Sequence, residues 1–345
     1  MSGGVDSSAA AVLLQERGAR VLGLTMKNFC YSDVEGAERS CCSLTHLMDA
    51  RRVCDGLGIE HYLLDTTASF GRLVMDRFVE EYDAGRTPNP CVDCNQSVRF
   101  PLLLARARQL GADFIATGHY ARAARDDAGR SFVRRGADAQ KDQSYFLHGV
   151  PHACLERTLF PLGGLRKAHV RAVARRAGLP VAEKRESQEI CFLPDGGRDA
   201  FLRQRGHAVA GRIRHLDGRD LGAHAGIGAF TVGQRHGLGV ALGAPLYVHH
   251  IDAASHSVVV GGAENLDCDG VELDRFWSRS GSGPLQVQLR HRADPAPVRA
   301  LGQDGPRARI DFERPQRAVA PGQAAVLYDG DLVVGGGRII ATHAA

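Results

Sequence analysis

The sequence predicts an α/β domain followed by small all-β modules, and three observations carry that prediction. Helix-like and strand-like patterns alternate over the first ~200 residues. After about Arg205 glycine becomes frequent and the strand-like runs become short. Near the end, Asp329-Gly330 separates two apolar runs, which is a hairpin turn signal.

The N-terminal elements follow in order. Residues 7–17 read as a helix carrying Val12, Leu13 and Leu14, and residues 21–26 as a short apolar strand. Residues 44–57 are again helical and 61–64 strand-like. Residues 69–83 place Phe70, Leu73, Val74 and Phe78 at helical spacing. Residues 85–90 form a polar loop with two prolines. A further helix, starting near Ser97, ends near Leu110, and 113–116 is another strand. This alternation argues for a parallel sheet flanked by helices. Ligands then sit at the carboxyl ends of the strands, in the turns after Met26 and Ala116. Further on, residues 307–313 and 324–334 alternate as strands do.

The length of 345 residues allows two or three domains with a sizeable core. Charged residues at 24% and hydrophobic ones at 44% are an ordinary globular composition. No apolar run approaches ~20 residues, so no membrane span is expected. No signal peptide precedes the first motif, and a cytoplasmic location is expected. The net charge is +4, with arginines clustered at 17 and 20, 51 and 52, and 171, 175 and 176. Such clusters are compatible with solvated helix faces and permit a polyanionic partner. The 9 cysteines make thiol chemistry or metal ligation a better question than a disulfide framework.

The chain opens on Met1, then Ser2-Gly3-Gly4-Val5-Asp6-Ser7-Ser8. Glycines let backbone N–H groups approach an anion, and the serines add hydroxyls. A helix starts at once, so its positive end faces the same anion. Asp6 suggests Mg²⁺ binding or helix capping. The Walker lysine is absent, so this is a different kind of phosphate loop.

Two cysteine segments follow. Thr87-Pro88-Asn89-Pro90-Cys91-Val92-Asp93-Cys94-Asn95 is a proline-stiffened loop, with Cys94 expected just before a helix, where thiolate is favoured. Glu186-Ser187-Gln188-Glu189-Ile190-Cys191-Phe192-Leu193-Pro194-Asp195 sets Cys191 in an apolar stretch, where a cysteine is commonly core. Structural zinc is a poor reading, because there is no second CxxC and Cys41-Cys42 are adjacent.

The opening loop resembles the PP-loop, Ser-Gly-Gly-x-Asp-Ser, of N-type ATP pyrophosphatases. With Lys141-Asp142-Gln143-Ser144-Tyr145-Phe146, Gly163-Gly164-Leu165, Gly233-Gln234-Arg235 and Pro321-Gly322-Gln323 added, nearly the whole chain resembles the tRNA-specific 2-thiouridylases. The resemblance implies an α/β PP-loop domain at 1–204, a small central domain at 205–267 and a tRNA-contacting C-terminal β-barrel at 268–345. It implies an ATP- and Mg²⁺-dependent enzyme that replaces O2 of the wobble uridine with sulfur in tRNAs of glutamate, glutamine and lysine type. A cysteine desulfurase or sulfur-relay protein would supply the sulfur.

By the same resemblance, Ser2, Gly3, Gly4, Val5, Asp6, Ser7, Ser8, Met26 and Gly118 bind ATP. Cys191 carries a persulfide, and Cys94 is the nucleophile and disulfide partner. Asn89, Pro90 and Cys91 meet the target base. His119, Lys141, Asp142, Gln143, Arg290, His291 and Gln323 contact tRNA. Many relatives carry aspartate where this chain has Cys91. Cys91, Cys94 and Cys191 could therefore hold a [4Fe–4S] cluster instead, so persulfide and cluster routes both stay open. Another PP-loop adenylating enzyme and a non-catalytic tRNA-binding protein are the remaining alternatives. In PP-loop enzymes a buried strand precedes the loop. Met1 directly precedes it here, and weakened nucleotide affinity is expected.

Overall fold

An alanine-rich stretch with high helix propensity forms the helix Val5–Glu16, which buries Val5, Ala9, Ala10, Ala11 and Val12. Small side chains let it approach the helix Lys167–Arg176 closely, and Val170, Val173 and Ala174 share one core with it. That packing carries the first residue of the second helix to the head of the first.

The structure is a computed structural model and describes residues 1–29, 44–126, 129–185, 190–194, 196–279 and 283–344. Cys41, Cys42 and residues 186–189 and 195 of the segment around Cys191 lie outside the described residues. The chain divides into two units, one of residues 1–75, 91–195 and 331–333, the other of 76–90, 196–330 and 334–345.

The first unit is α/β. Strand β1 (Gly23–Lys27) pairs in parallel with β2 (His61–Asp65), with Met26 opposite Leu64. The helix Leu44–Leu57 connects to β2 at the boundaries the periodicity predicts. Strand β3 (Ile115–Ala116) has as its parallel partner β6 (Thr158–Leu159). Between them, β4 (Ala121–Arg125) and β5 (Ser131–Arg135) form an antiparallel hairpin. The Asp331 carboxylate accepts hydrogen bonds from Arg122 and Arg134 on that hairpin, at 2.5 Å each. Among the described residues the expected parallel sheet is thus two separate parallel pairs, flanked by helices.

Two helical runs differ from the sequence pattern. The run expected over 69–83 begins at Thr67 and passes through a π-helical stretch, Gly71–Asp76, before Arg77–Asp83. The helix expected from Ser97 begins at Pro90 instead, running Pro90–Cys94, then π-helical Asn95–Arg99, then Phe100–Gln109. Proline suits a first helical position, since its fixed φ is already helical and its missing N–H would be unpaired anyway. Cys94 therefore lies within a helical run, not ahead of one. The helix-terminus argument for its thiolate does not apply.

The second unit is largely β. Strands β7 (Gly211–His215), β8 (Asp220–His224), β9 (Tyr247–Asp252) and β10 (Ser257–Gly261) form a sheet in the order β8-β7-β10-β9, over a core including Ile213, Phe230, Val248 and Val258. Strands β11 (Asp267–Ser278), β12 (Leu285–Gln288), β13 (Ala296–Asp304), β14 (Arg307–Arg317), β15 (Ala324–Asp329) and β16 (Leu332–His343) pair as β11-β14-β13-β12-β15-β16. A β11–β16 pairing closes the ring into a barrel, so among the described strands none is left as an open edge in it. Gly330, at φ +58, makes the β15–β16 turn that Asp329-Gly330 signals. No described helix is long and apolar enough to cross a membrane.

Candidate active site

The opening loop sits where a phosphate loop should. Gly3 has φ +67, and a Cβ there would fall 2.1 Å from the His46 carbonyl oxygen, so only glycine fits. The Met1 carbonyl accepts a 2.8 Å hydrogen bond from the Thr25 hydroxyl, which ties the loop alongside β1. Ser2 and Ser7 place their hydroxyls 3.0 Å apart at the exposed end, whereas the buried Ser8 hydroxyl donates back to the Gly4 carbonyl at 2.9 Å. Gly118, two residues past β3, lies against the loop: a Cβ there would fall 2.8 Å from Asp6 C and Ser7 N. The two strand ends expected to flank a ligand are those of β1, which holds Met26, and β3, which leads to Gly118. Glycines at the close approaches and a helix N-terminus behind them fit a nucleotide pyrophosphate.

Asp6 does not cap the helix, whose N-cap is Gly4 with no side-chain cap bond. Its carboxylate instead accepts hydrogen bonds from Lys167 Nζ at 2.7 and 2.8 Å and from the Tyr120 hydroxyl at 2.7 Å. Tyr120 is fixed in turn by Gln143, whose side-chain oxygen accepts from the Tyr120 N–H at 3.0 Å and whose N–H donates to the Tyr120 carbonyl at 2.9 Å. Asp142 accepts from Gly136 N–H, Ser144 N–H, the Ser144 hydroxyl and Arg135. Lys141, beside it, is half-buried. Lys184 Nζ donates to the Gly3 carbonyl at 2.9 Å and pairs with Asp49 at 2.6 Å. The sequence reading missed Lys167, Tyr120 and Lys184 as site residues.

His119 is buried with both ring nitrogens engaged, Nδ1 with the Thr117 hydroxyl at 2.9 Å and Nε2 with Arg99 at 3.3 Å. Its ring stacks on Phe100 at 5.8 Å. Burial, helped by the Arg99 charge, pushes its pKa from 6.5 down to about 3. Burial also lowers that of His148. A base with a depressed folded pKa takes up its proton only on unfolding. Its stabilising contribution is full above pH 6.5 and is lost as pH falls from 6.5 toward 3. For His119 the loss should be about 1.4 kcal/mol of stability per pH unit in that window. Urea unfolding at pH 7.5 and pH 5.5 should show the drop, and a His119→Gln chain should show a smaller one. Equal drops in both chains would contradict the assignment.

The thiols differ in access. Cys94 is buried, Cys91 is exposed and Cys191 is half-exposed. Asn95, next to Cys94, is buried and donates to the Phe146 carbonyl at 3.2 Å. Phe192, next to Cys191, is buried edge-on against Phe70 at 5.8 Å. All three cysteines belong to the first unit. Among the described residues, no group of three or more His, Cys, Asp or Glu side chains is gathered so as to hold a metal ion. The arrangement therefore does not fit a three-thiolate iron–sulfur cluster. One carboxylate at the loop head does fit Mg²⁺, which is usually held by one or two carboxylates plus substrate phosphates.

In the second unit, Asn89 is half-buried and Pro90 buried. The loop that leads to them is bolted to the barrel. The Thr87 N–H donates to the Pro321 carbonyl at 2.7 Å, and the Gln323 side-chain amide donates to the Thr87 carbonyl at 2.8 Å. Thr87, Thr231, Arg290, Asp294, Arg317 and Gln323 line a pocket of about 140 Å³, with His291 next to Arg290 in sequence.

Comparison with known proteins places the whole chain. Residues 1–195 match the family model described as a tRNA methyl transferase HUP domain, 199–262 its PRC-barrel domain, and 274–339 an aminomethyltransferase beta-barrel domain. A protein of Geobacter metallireducens named tRNA-specific 2-thiouridylase MnmA is 48% identical, covering 98% of this chain and 95% of its own. Proteins of the same name from Chloroflexus aggregans and Magnetococcus marinus are 47% and 46% identical, with coverage of 98% and 96%, and of 99% and 97%. Among solved structures, the NMN synthetase from Francisella tularensis aligns at TM-score 0.33 and 19% identity, over 59% of this chain and 69% of its own.

Proposed function

The chain belongs to the tRNA-specific 2-thiouridylase family, and from that membership we propose that it uses ATP to replace O2 of the wobble uridine of a tRNA with sulfur. The observation that carries this reading is a loop–helix head built for pyrophosphate in the same unit as the two thiols. The family models are described by methyl transfer, but moving a methyl group needs no nucleotide pyrophosphate site. Uracil O2 is a poor leaving group until it is adenylated. The loop holds ATP so that O2 attacks the α-phosphorus and pyrophosphate departs. Mg²⁺, when bound, offsets the charge on the phosphates.

Sulfur then arrives from a persulfide on half-exposed Cys191, which a donor can reach. The outer persulfide sulfur displaces AMP at C2, and Cys94 then attacks Cys191 Sγ, breaking the S–S bond so that the outer sulfur stays on C2; alternatively Cys94 attacks the persulfide first and expels hydrosulfide, which displaces AMP at C2. Either order leaves a Cys94–Cys191 disulfide, which an external reductant reopens. Burial keeps Cys94 from reacting early with bulk oxidants. The family's glutamate, glutamine and lysine tRNAs are the proposed substrates, and a cysteine desulfurase or relay protein the donor. The division at 1–204, 205–267 and 268–345 and a cytoplasmic location belong to the same proposal.

The test is mass spectrometry of wobble nucleosides after incubation with ATP, Mg²⁺, tRNA and a persulfide source. 2-Thiouridine is the expected product. Unmodified or methylated uridine from a chain that consumes ATP would overturn the reading.

A further inference from the structure

A phosphate loop without a lysine in its own sequence must draw positive charge from elsewhere in the fold. Two lysines do converge here from positions 167 and 184. Lys184 is committed to a backbone carbonyl of the loop and to Asp49, a bracing role. Lys167 is different. It is the first residue of the helix Lys167–Arg176 and reaches the second residue of the helix Val5–Glu16. Its ammonium thus stands at the positive end of that helix, an unfavourable place for a cation. Asp6 offsets the cost. The lysine side chain is only 12% exposed and that of Asp6 31%, so the pair is well withdrawn from water. The Tyr120 ring lies 5.6 Å from the ammonium, and the Tyr120 hydroxyl holds the same Asp6 oxygen that Lys167 holds.

We propose that Lys167 is the cation of the pyrophosphate site, parked on Asp6 in the nucleotide-free chain and transferred to the phosphates when ATP binds. The assignment rests on the ATP-dependent reading above. The geometry suits an exchange of partners. A polyanion at the helix head gives both the dipole and the ammonium a favourable partner at once. Asp6 is not stranded when Lys167 leaves, because the Tyr120 hydroxyl stays on it. It becomes available to a magnesium ion that arrives with the nucleotide. Gln143, which clamps the Tyr120 backbone on both sides, is a positioning residue for Asp6.

The two partners of the ion pair give the test opposite signs. Binding of inorganic pyrophosphate and of ATP is measured by calorimetry without Mg²⁺, which removes any role of Asp6 as a metal ligand. Lys167→Met should weaken both by roughly 10- to 100-fold, the loss of one charge-assisted hydrogen bond, while adenosine binding is unchanged. Asp6→Asn should tighten Mg²⁺-free pyrophosphate binding, because it frees the lysine and removes a competing negative charge. Lys167→Arg should recover part of the loss. Thermal melting of each variant guards against a folding defect. If the pair were only a structural bridge, both variants would lose affinity together, and that result would overturn the assignment. An unaltered chain that binds no pyrophosphate would sink the ATP reading and this assignment with it. Equal binding by the unaltered chain and Lys167→Met would sink the assignment alone.

Discussion

A Cys191→Ser chain should thiolate tRNA at least roughly 10³-fold more slowly than the unaltered chain, the scale of removing a group that acts as a nucleophile. It should still release pyrophosphate from ATP in the presence of tRNA. The two halves of the reaction use different residues. Activation belongs to the loop 2–8 and the groups around Asp6, and sulfur delivery belongs to the thiols. Cys191 is half-exposed, and its buried neighbour Phe192 holds the backbone against Phe70. Exchanging one atom at Cys191 should therefore change stability by about 0.5 kcal/mol or less. Cys94→Ser places a hydroxyl where a buried thiol stood, so Cys94→Ala is the cleaner partner variant. That chain should load a persulfide sulfur on Cys191, visible in the intact mass, and then stall. Full thiolation by Cys191→Ser would remove the persulfide route altogether.

The α/β then all-β order was legible because it rests on local periodicity. The helix Leu44–Leu57 and the strand that follows it lie where apolar spacing puts them. The helix start at Pro90 is not expected from the sequence, because two prolines read as an extended loop. The signal that could have corrected it is proline's preference for the first helical position. The two π-helical stretches leave no mark in the spacing of apolar residues. Barrel closure was out of reach of local pattern, since β11 and β16 are far apart in sequence and meet only on folding.

The site shows the same division. The glycines and serines of the opening loop lie within one short motif, so their purpose can be read directly. Lys167 is 161 positions from Asp6, and nothing in its neighbouring sequence marks it as a site residue. Tyr120 directly follows Gly118 and His119, but its link to Asp6 spans 114 positions and leaves no mark in local sequence. His119 and Gln323 read as polar residues for a partner. The structure shows each engaged within the chain, His119 with Arg99 and Thr117, and Gln323 with Thr87.

Glu81→Ala should cost the second unit about 3 kcal/mol, more than most single changes in this chain. Glu81 lies in the helix Arg77–Asp83, is 4% exposed and accepts hydrogen bonds from Arg86 at 2.6 and 3.0 Å. It also pairs with Arg338 of β16, which in turn holds Asp274 of β11. Removing the carboxylate leaves the mostly buried Arg338 and the half-buried Arg86 short of a partner, and that stranding dominates the cost. Arg338 keeps Asp274, which places the effect at the lower end of the range for breaking a buried pair. The single tryptophan, Trp277, lies on β11, so its fluorescence in urea reports on this unit rather than on the whole chain. A double-mutant cycle with Arg338→Ala should return a coupling of about 1–3 kcal/mol, and strict additivity would mean that the pair contributes nothing. The same helix runs directly into the loop carrying Thr87, Asn89 and Pro90, which Gln323 and Pro321 hold to the barrel. A chain that survives Glu81→Ala at low temperature should therefore thiolate more slowly through a weaker hold on tRNA. The loss should appear in KM for tRNA and spare the affinity for pyrophosphate.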